Sequence, residues 1–185
     1  ILFEPLPYPD AGHLLMISDR YPDGGRQEVT FGTYAELAAR TRSFSALAVV
    51  RPWQPTMLGA AEPERLGGQR VSAGYFQAIG IAPRLGHDFD AADDRPHGAN
   101  VVIISDALWR RNPTLLGRQI TLDGDHYTVI GVMPASFDNV LQPSVQIWSL
   151  LQYESSAPFF RDAGNHDSRE WGHHLTMIGR VRPGL

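Results

Sequence analysis

The sequence predicts an α+β domain in which strands outnumber helices, and three observations carry that expectation. Arg118–Pro134, RQITLDGDHYTVIGVMP, sets two alternating runs around Asp123-Gly124, a dipeptide that takes the positive φ angles of a tight hairpin turn. Short apolar or alternating runs recur along the chain between Pro, Gly, Asn and Asp punctuation. The repeated strand, long helix, strand spacing of a parallel α/β sheet does not appear.

Taken in order, Ile1–Asp10 carries three prolines and should be extended. His13–Ser18 (HLLMIS) reads as a buried strand and Tyr21–Gly25 (YPDGG) as a turn. Thr33, with Glu36 three residues on, suggests a capping box opening a helix over Tyr34–Arg40, with Leu37 and Ala38 turned inward. Phe44–Val50 is the next strand, closed by Arg51-Pro52. Trp53–Leu58 and Glu64–Val71 pair around the turn-rich Gly59–Pro63. Gly74–Ile79 is a short helix with Ser72 as its N-cap and Gly80 ending it.

Val101–Ile104 (VVII) has no polar alternation, the pattern of a strand buried on both faces. Ser105 caps a helix over Asp106–Arg111, and Gly117 ends the turn before the hairpin. With Asp123 and Gly124 as central turn residues, Leu122 faces Asp125 and Ile120 faces Tyr127. Ile120, Leu122, Tyr127, Val129 and Met133 then share one apolar surface, and Gln119, Thr121, His126 and Thr128 lie opposite. Val145–Leu151 is another strand, Gln152–Gly172 is polar and irregular, and His173–Arg182 alternates into a last strand closed by Pro183-Gly184.

Composition narrows the function classes. At 185 residues the chain makes one domain or two small lobes, and 43% hydrophobic residues suffice for a core. A net charge of −4 and a pI near 5.9 argue against nucleic acid as a partner. All 16 basic residues are arginine, so Schiff-base lysines and GxxxxGK[ST] phosphate loops are excluded. Cysteine is absent, which removes disulfides, thiolate catalysis and cysteine zinc sites. No uninterrupted apolar run is long enough to span a bilayer, and a chain starting on Ile1 reads as an excised part of something longer.

The polar clusters do not assemble into a catalytic motif. His166, Asp167, His173 and His174 suggest a metal, but adjacent histidines on a strand point to opposite faces and the HExxH spacing is missing. Asp88, Asp90, Asp93 and Asp94 fail the calcium-loop spacing, because Ala92 fills the third ligand position; a solvated acidic loop fits better. Val71-Ser72-Ala73-Gly74 lacks the first glycine of a nucleophile elbow. Trp53, Trp109, Trp148 and Trp171 are expected in the core, and Arg84, Arg110 and Arg111 on a solvated surface. No catalytic, cofactor-binding or metal residue is therefore assigned.

Several stretches in order nonetheless resemble one family: PLPYPD (Pro5–Asp10), RSFSALA (Arg42–Ala48), RVSAGYFQAIGIAPRLGHDF (Arg70–Phe89), VVIISDALWRR (Val101–Arg111), LLGRQITLDGDHYTVIGVMPASF (Leu115–Phe137), QIWSLL (Gln146–Leu151) and GRVRPGL (Gly179–Leu185). This resembles the MacB-like periplasmic core domain of ABC transporter permeases, particularly the large acidobacterial type. The resemblance implies an extracytoplasmic domain between the first and second membrane helices of a permease in the inner (cytoplasmic) membrane. Such permeases pair with a cytoplasmic ABC ATPase and act as dimers. It implies a porter-like lobe over approximately 1–72 with 152–185, and an inserted mixed α/β lobe over approximately 73–151 holding the hairpin. Arg111-Asn112-Pro113 is shorter than the family's link there, and the family domain continues past the Arg-Pro-Gly motif, so part of the porter-like lobe is expected beyond Leu185.

On that resemblance the domain is expected to be non-enzymatic, part of an efflux or export permease. It would relay ATP-driven conformational change through relative motion of two lobes, or contact a periplasmic partner through the Asp88–Asp94 loop and the Gln152–Gly172 segment. The competing expectation is a stand-alone envelope enzyme or ligand-binding domain using His166, Asp167 and His173 with a metal.

Overall fold

The computed structural model describes residues 6–59, 62–153 and 172–184. In chain order the strands are β1 (Leu14–Ile17), β2 (Asp19–Arg20), β3 (Arg26–Gln27), β4 (Phe44–Trp53), β5 (Thr56–Leu58), β6 (Glu64–Arg65) and β7 (Gly68–Val71). There follow β8 (Leu85–Gly86), β9 (Val101–Ile104), β10 (Gln119–Leu122), β11 (Asp125–Val132), β12 (Ile147–Leu150) and β13 (Thr176–Val181). Three helices, α1 (Phe31–Arg40), α2 (Tyr75–Ile79) and α3 (Asp106–Arg111), and a 3-10 turn at Ala11–His13 complete the α+β fold.

One eleven-stranded sheet runs β1-β13-β4-β7-β12-β9-β11-β10-β5-β6, with β8 paired to β11, and β2-β3 form a separate hairpin. Two of its pairings are parallel, β7 with β12 and β9 with β11; the rest are antiparallel. The Asp123-Gly124 turn takes φ of 53° and 97°, and Leu122 faces Asp125 while Ile120 faces Tyr127, as the turn chemistry requires.

Met133 departs from the expected apolar face. Ile120, Leu122, Tyr127 and Val129 pack with Val132 in one core cluster, whereas Ile130 and Met133 join another on the opposite face of the sheet. The cause is a bulge: Val129 faces Val102 but Gly131 faces Ile103, so Ile130 is an extra residue that reverses the alternation after it. The bulge rests on Gly86, whose φ is +73° and where a Cβ would strike the Ile130 carbonyl.

Other boundaries shift for local reasons. α1 starts three residues early because Thr30, not Thr33, is the N-cap: its Oγ1 accepts from the Thr33 N–H at 3.0 Å. The Thr33 hydroxyl donates instead to Asp19 at 3.1 Å, and Glu36 pairs with Arg40. Leu37 packs inward, but Ala38 is exposed. β4 runs through Pro52 to Trp53, because pairing with β13 ends at Val50 and strand alternation turns the Pro52 nitrogen toward that vacated side. Glu64–Val71 divides into β6, which pairs β5, and β7, which pairs β4 and β12. Ser72 does not cap α2; its Oγ accepts from the Val49 N–H, and Gly74 holds the N-cap position. β1 is not buried but lies at the sheet edge, with Leu15 46% and Met16 72% exposed.

Both sheet faces are covered. α2 and an aromatic cluster of Phe76, Phe89, Phe137 and Trp148 lie on one face, over side chains from β13, β4, β7, β12 and β9. On the other face α1 covers β4 and β13, and α3 covers β9, β11 and β10. Trp148 and Phe76 are almost fully buried, and burial of a side chain of that kind stabilises by roughly 1.5–3 kcal/mol.

Candidate functional site

The histidines considered as metal ligands go to different tasks. His173 Nδ1 lies 2.7 Å from the Glu28 carbonyl and 3.5 Å from Asp19, and its Nε2 lies 3.4 Å from Gln27, so this ring docks the β2-β3 hairpin. The His174 ring stacks near Tyr153, centroids 6.1 Å apart. His166, Asp167 and Trp171 lie outside the described residues, as does most of Gln152–Gly172. Among the described residues no three His, Cys, Asp or Glu side chains converge as a metal group.

The acidic loop is solvated at Asp90, but Asp94 makes it a brace. Asp94 is half-buried; one carboxylate oxygen accepts from the Ala73 N–H at 2.8 Å and the other from the Gln152 N–H at 2.9 Å. Gln152, at φ +44°, returns its side-chain amide to the Asp93 and Ala99 carbonyls. Burial pushes the Asp94 carboxyl above its ordinary range, with its two backbone donors opposing. Burial likewise raises Asp88, which accepts from the Phe89 N–H at 2.7 Å.

The arginines expected on the surface are paired within the chain. Arg84 and Arg110 each reach the nearly buried Asp106 at 2.6 Å, Arg84 lies over the Trp109 ring, and Arg111 meets Glu64 at 2.8 Å. A different pair carries no signal in the sequence. Arg51 and Arg70 face each other across β4 and β7, and burial, then Arg70's charge, pushes the Arg51 guanidinium below its ordinary pKa. Arg70 is held by the Leu150 carbonyl, the Tyr127 hydroxyl and the Trp53 ring. Only the strand register reveals that two arginines so far apart in sequence are neighbours.

A cleft of about 530 Å³ opens between Ser105, Phe137, Asn139, Ser144 and Trp148. Its carboxylates are Asp138 and Asp106, the latter already held by two arginines. Behind it Gln69 is buried, and its Oε1 accepts from Asn139 Nδ2 at 2.8 Å, Trp148 Nε1 at 3.0 Å and the Tyr75 hydroxyl at 3.2 Å. Burial raises the Tyr75 hydroxyl well above its ordinary pKa, which keeps it a neutral donor. This arrangement fixes side chains; it offers no nucleophile beside a base.

The first and last strands meet at one side of the sheet. β1 and β13 are antiparallel neighbours with Leu14 facing Arg180 and Ile17 facing Met177, so the beginning of β1 and the end of β13 share one end of the sheet. There Arg180 donates to the carbonyls of Ala78 at 2.8 Å, Ile79 at 2.6 Å and Asp10 at 3.4 Å. Tyr8 is buried beside it, its hydroxyl accepting from the Val140 N–H at 3.0 Å. An apolar groove of about 160 Å³ runs between Leu6, Tyr8, Leu14, Met16, Val140 and Ile178. Among the described residues no helix is long and apolar enough to cross a membrane.

A family model described as the MacB-like periplasmic core domain matches residues 5–184. No curated protein matches the chain. Among solved structures, the periplasmic region of MacB from Actinobacillus actinomycetemcomitans superposes with a TM-score of 0.64 at 12% identity, covering 94% of this chain and 76% of that one. The extracellular domain of the noncanonic ABC-type transporter YknZ from Gram-positive bacteria gives 0.59 at 11% identity, covering 92% and 84%. A domain assigned to a permease protein from Porphyromonas gingivalis gives 0.67 at 13% identity, covering 96% and 79%.

Proposed function

The chain belongs to the MacB-like periplasmic core domain family of ABC transporter permeases, and from that premise we propose that it relays ATPase-driven displacement of membrane helices to the far side of the membrane. The observation that carries this reading is the family match over residues 5–184, supported by one sheet that joins segments from β1 to β13 into a single body. The partners in this reading are a cytoplasmic ABC ATPase, a second permease copy and an envelope component touched by the distal loops. The domain itself performs no catalysis.

In this reading residues 1–72 with 152–185 form a porter-like lobe and 73–151 an inserted lobe. Relative motion between them is restrained, because the sheet continues across the β7-β12 seam. One core cluster also takes Ala48 and Ile178 from one side and Ile103 and Trp148 from the other. Displacement passed to the sheet therefore moves the two lobes as a stiff body rather than opening a hinge between them.

The sidedness is tested with Glu36→Cys, an exposed position on α1 in a domain without native cysteine. In the full permease in intact cells, a membrane-impermeant maleimide should label this residue. Labelling only after lysis would overturn the reading.

A further inference from the structure

On the sheet face that carries α1 and α3, the two apolar clusters are parted by arginine. Along β4, Val49 belongs to the cluster under α1 and Trp53 to the cluster under α3, and strand alternation places Arg51 between them on the same face. Arg51 faces Arg70 on β7, and Arg70 faces Ser149 on β12, so one polar row crosses three adjacent strands. Directly opposed residues lie close enough at Cβ, about 4.5–5.5 Å, for like charges to destabilise the pairing.

The two guanidiniums are held differently. Arg70 donates Nη1 to the Leu150 carbonyl at 3.3 Å and Nη2 to the Tyr127 hydroxyl at 3.1 Å, and lies over the Trp53 ring at 4.5 Å. Those three partners are uncharged, so they fix its plane without neutralising it. Arg51 is half-buried beside it. Burial and then the Arg70 charge lower the Arg51 pKa, the direction given by two cations that oppose each other; Tyr153 acts the other way as the smaller influence. Elsewhere arginine meets acid directly: Arg40 pairs with Glu36, Arg84 and Arg110 with Asp106, and Arg111 with Glu64. Two positive charges set side by side, half out of water and one of them fixed, match a doubly charged oxyanion, which guanidinium forks bind through paired hydrogen bonds.

We propose that Arg51 and Arg70 form a binding site for a dianionic phosphate group, with Arg70 as the fixed half and Arg51 as the half that turns onto the ligand. Both side chains keep partial exposure, so the group reaches them from solvent. A single carboxylate balances one of the two charges, whereas a phosphate dianion balances both. The group is recognised by the same chemistry whether it is free in solution or carried on a lipid headgroup. The site does not depend on the permease reading and is measured without membrane helices or ATPase.

Inorganic phosphate is titrated into the chain by calorimetry at constant ionic strength, with acetate as the singly charged control. Native chain should bind phosphate with a Kd of roughly 0.1–1 mM, and acetate about ten-fold more weakly or worse. Arg51→Met and Arg70→Met keep apolar bulk and should each weaken phosphate roughly ten- to hundred-fold, the scale of lost charge-assisted hydrogen bonds. Arg40→Met removes an exposed charge already paired with Glu36 and should leave phosphate binding unchanged, which separates the site from net charge. In chloride, Arg51→Met should raise the urea midpoint, because it removes one of two opposed half-buried charges. If Arg70→Met does not fold, Arg51→Lys keeps the charge but loses the fork and should still weaken phosphate. Phosphatidylcholine vesicles with and without phosphatidic acid tell the sources apart. Co-sedimentation that needs phosphatidic acid and is lost in Arg51→Met assigns a lipid headgroup; phosphate binding without it assigns a free phosphate group. No phosphate binding at about 10 mM would overturn the site. So would an Arg51→Met midpoint below that of the native chain, since a carboxylate of the chain would then already sit on the pair.

Discussion

Replacing Gln69 with leucine tests whether the buried polar node, rather than aromatic packing alone, holds the interior together. The side chain is 2% exposed, and its carbonyl oxygen is the shared acceptor for Asn139 Nδ2, Trp148 Nε1 and the Tyr75 hydroxyl. Leucine fills similar volume but accepts nothing, so three buried donors lose their partner. A stranded buried donor costs about 1–3 kcal/mol, and relaxation of the Asn139 side chain, which reaches the cleft, offsets part of the total. The expected loss is about 3–5 kcal/mol, a large share of the 5–15 kcal/mol that ordinarily holds a domain. In urea, where slopes are about 1–3 kcal/mol per molar, the unfolding midpoint should fall by roughly 2 M. Gln69→Glu keeps an acceptor at that position but buries a charge, so it should recover stability as acid neutralises it. A Gln69→Leu midpoint within about 0.5 M of the native chain would refute the reasoning, because it would mean the three donors are hydrated or find other acceptors.

Three further outcomes are expected. Gly86→Ala forces a side chain into φ +73° and against the Ile130 carbonyl, and should cost about 2 kcal/mol or more by thermal or urea unfolding. Burial raises Asp88 and Asp94, so the folded chain holds their protons more tightly than the unfolded chain does. Their contribution to stability therefore falls as pH rises from about 4 through the raised folded values and levels off above them; Asp88→Asn with Asp94→Asn should flatten that part of the urea-midpoint profile relative to the native chain. Asp94→Ala should also speed amide exchange at Ala73 and Gln152, the two N–H groups its carboxylate binds, while Asp93→Ala, whose brace contact is through its backbone carbonyl, should leave both protected.

What was legible in the sequence is what short-range chemistry decides. Asp123-Gly124 set the hairpin register, Val101–Ile104 showed a strand covered on both faces, and Ser105 and Gly80 marked helix ends. Structure departs from local expectation where a distant segment decides. Thr30 and Thr33 are both plausible caps locally; the choice follows from Asp19 taking the Thr33 hydroxyl. The reversal after Val129 depends on β9 and on Gly86 lying against the bulge, and the passage of β4 through Pro52 depends on where β13 stops. Tyr8 and Arg180 carry no local motif, since their partners are Val140, Ala78 and Ile79, far along the chain. Asp94 looked like one acid among several because Ala73 and Gln152 reach it only after folding.

The most direct test of stiff-body transmission is a distance measurement in the assembled permease with its ATPase. Spin labels at Glu36 on α1 and His126 on β11, both exposed, report the interior of the domain, and a single label at Glu36 on each of two copies reports its displacement. On trapping the ATP-bound state, the Glu36–His126 distance should change by less than about 2 Å, while the distance between copies shifts by more than that. A change within the domain as large as that between copies, or no change in either on ATP binding, would contradict it.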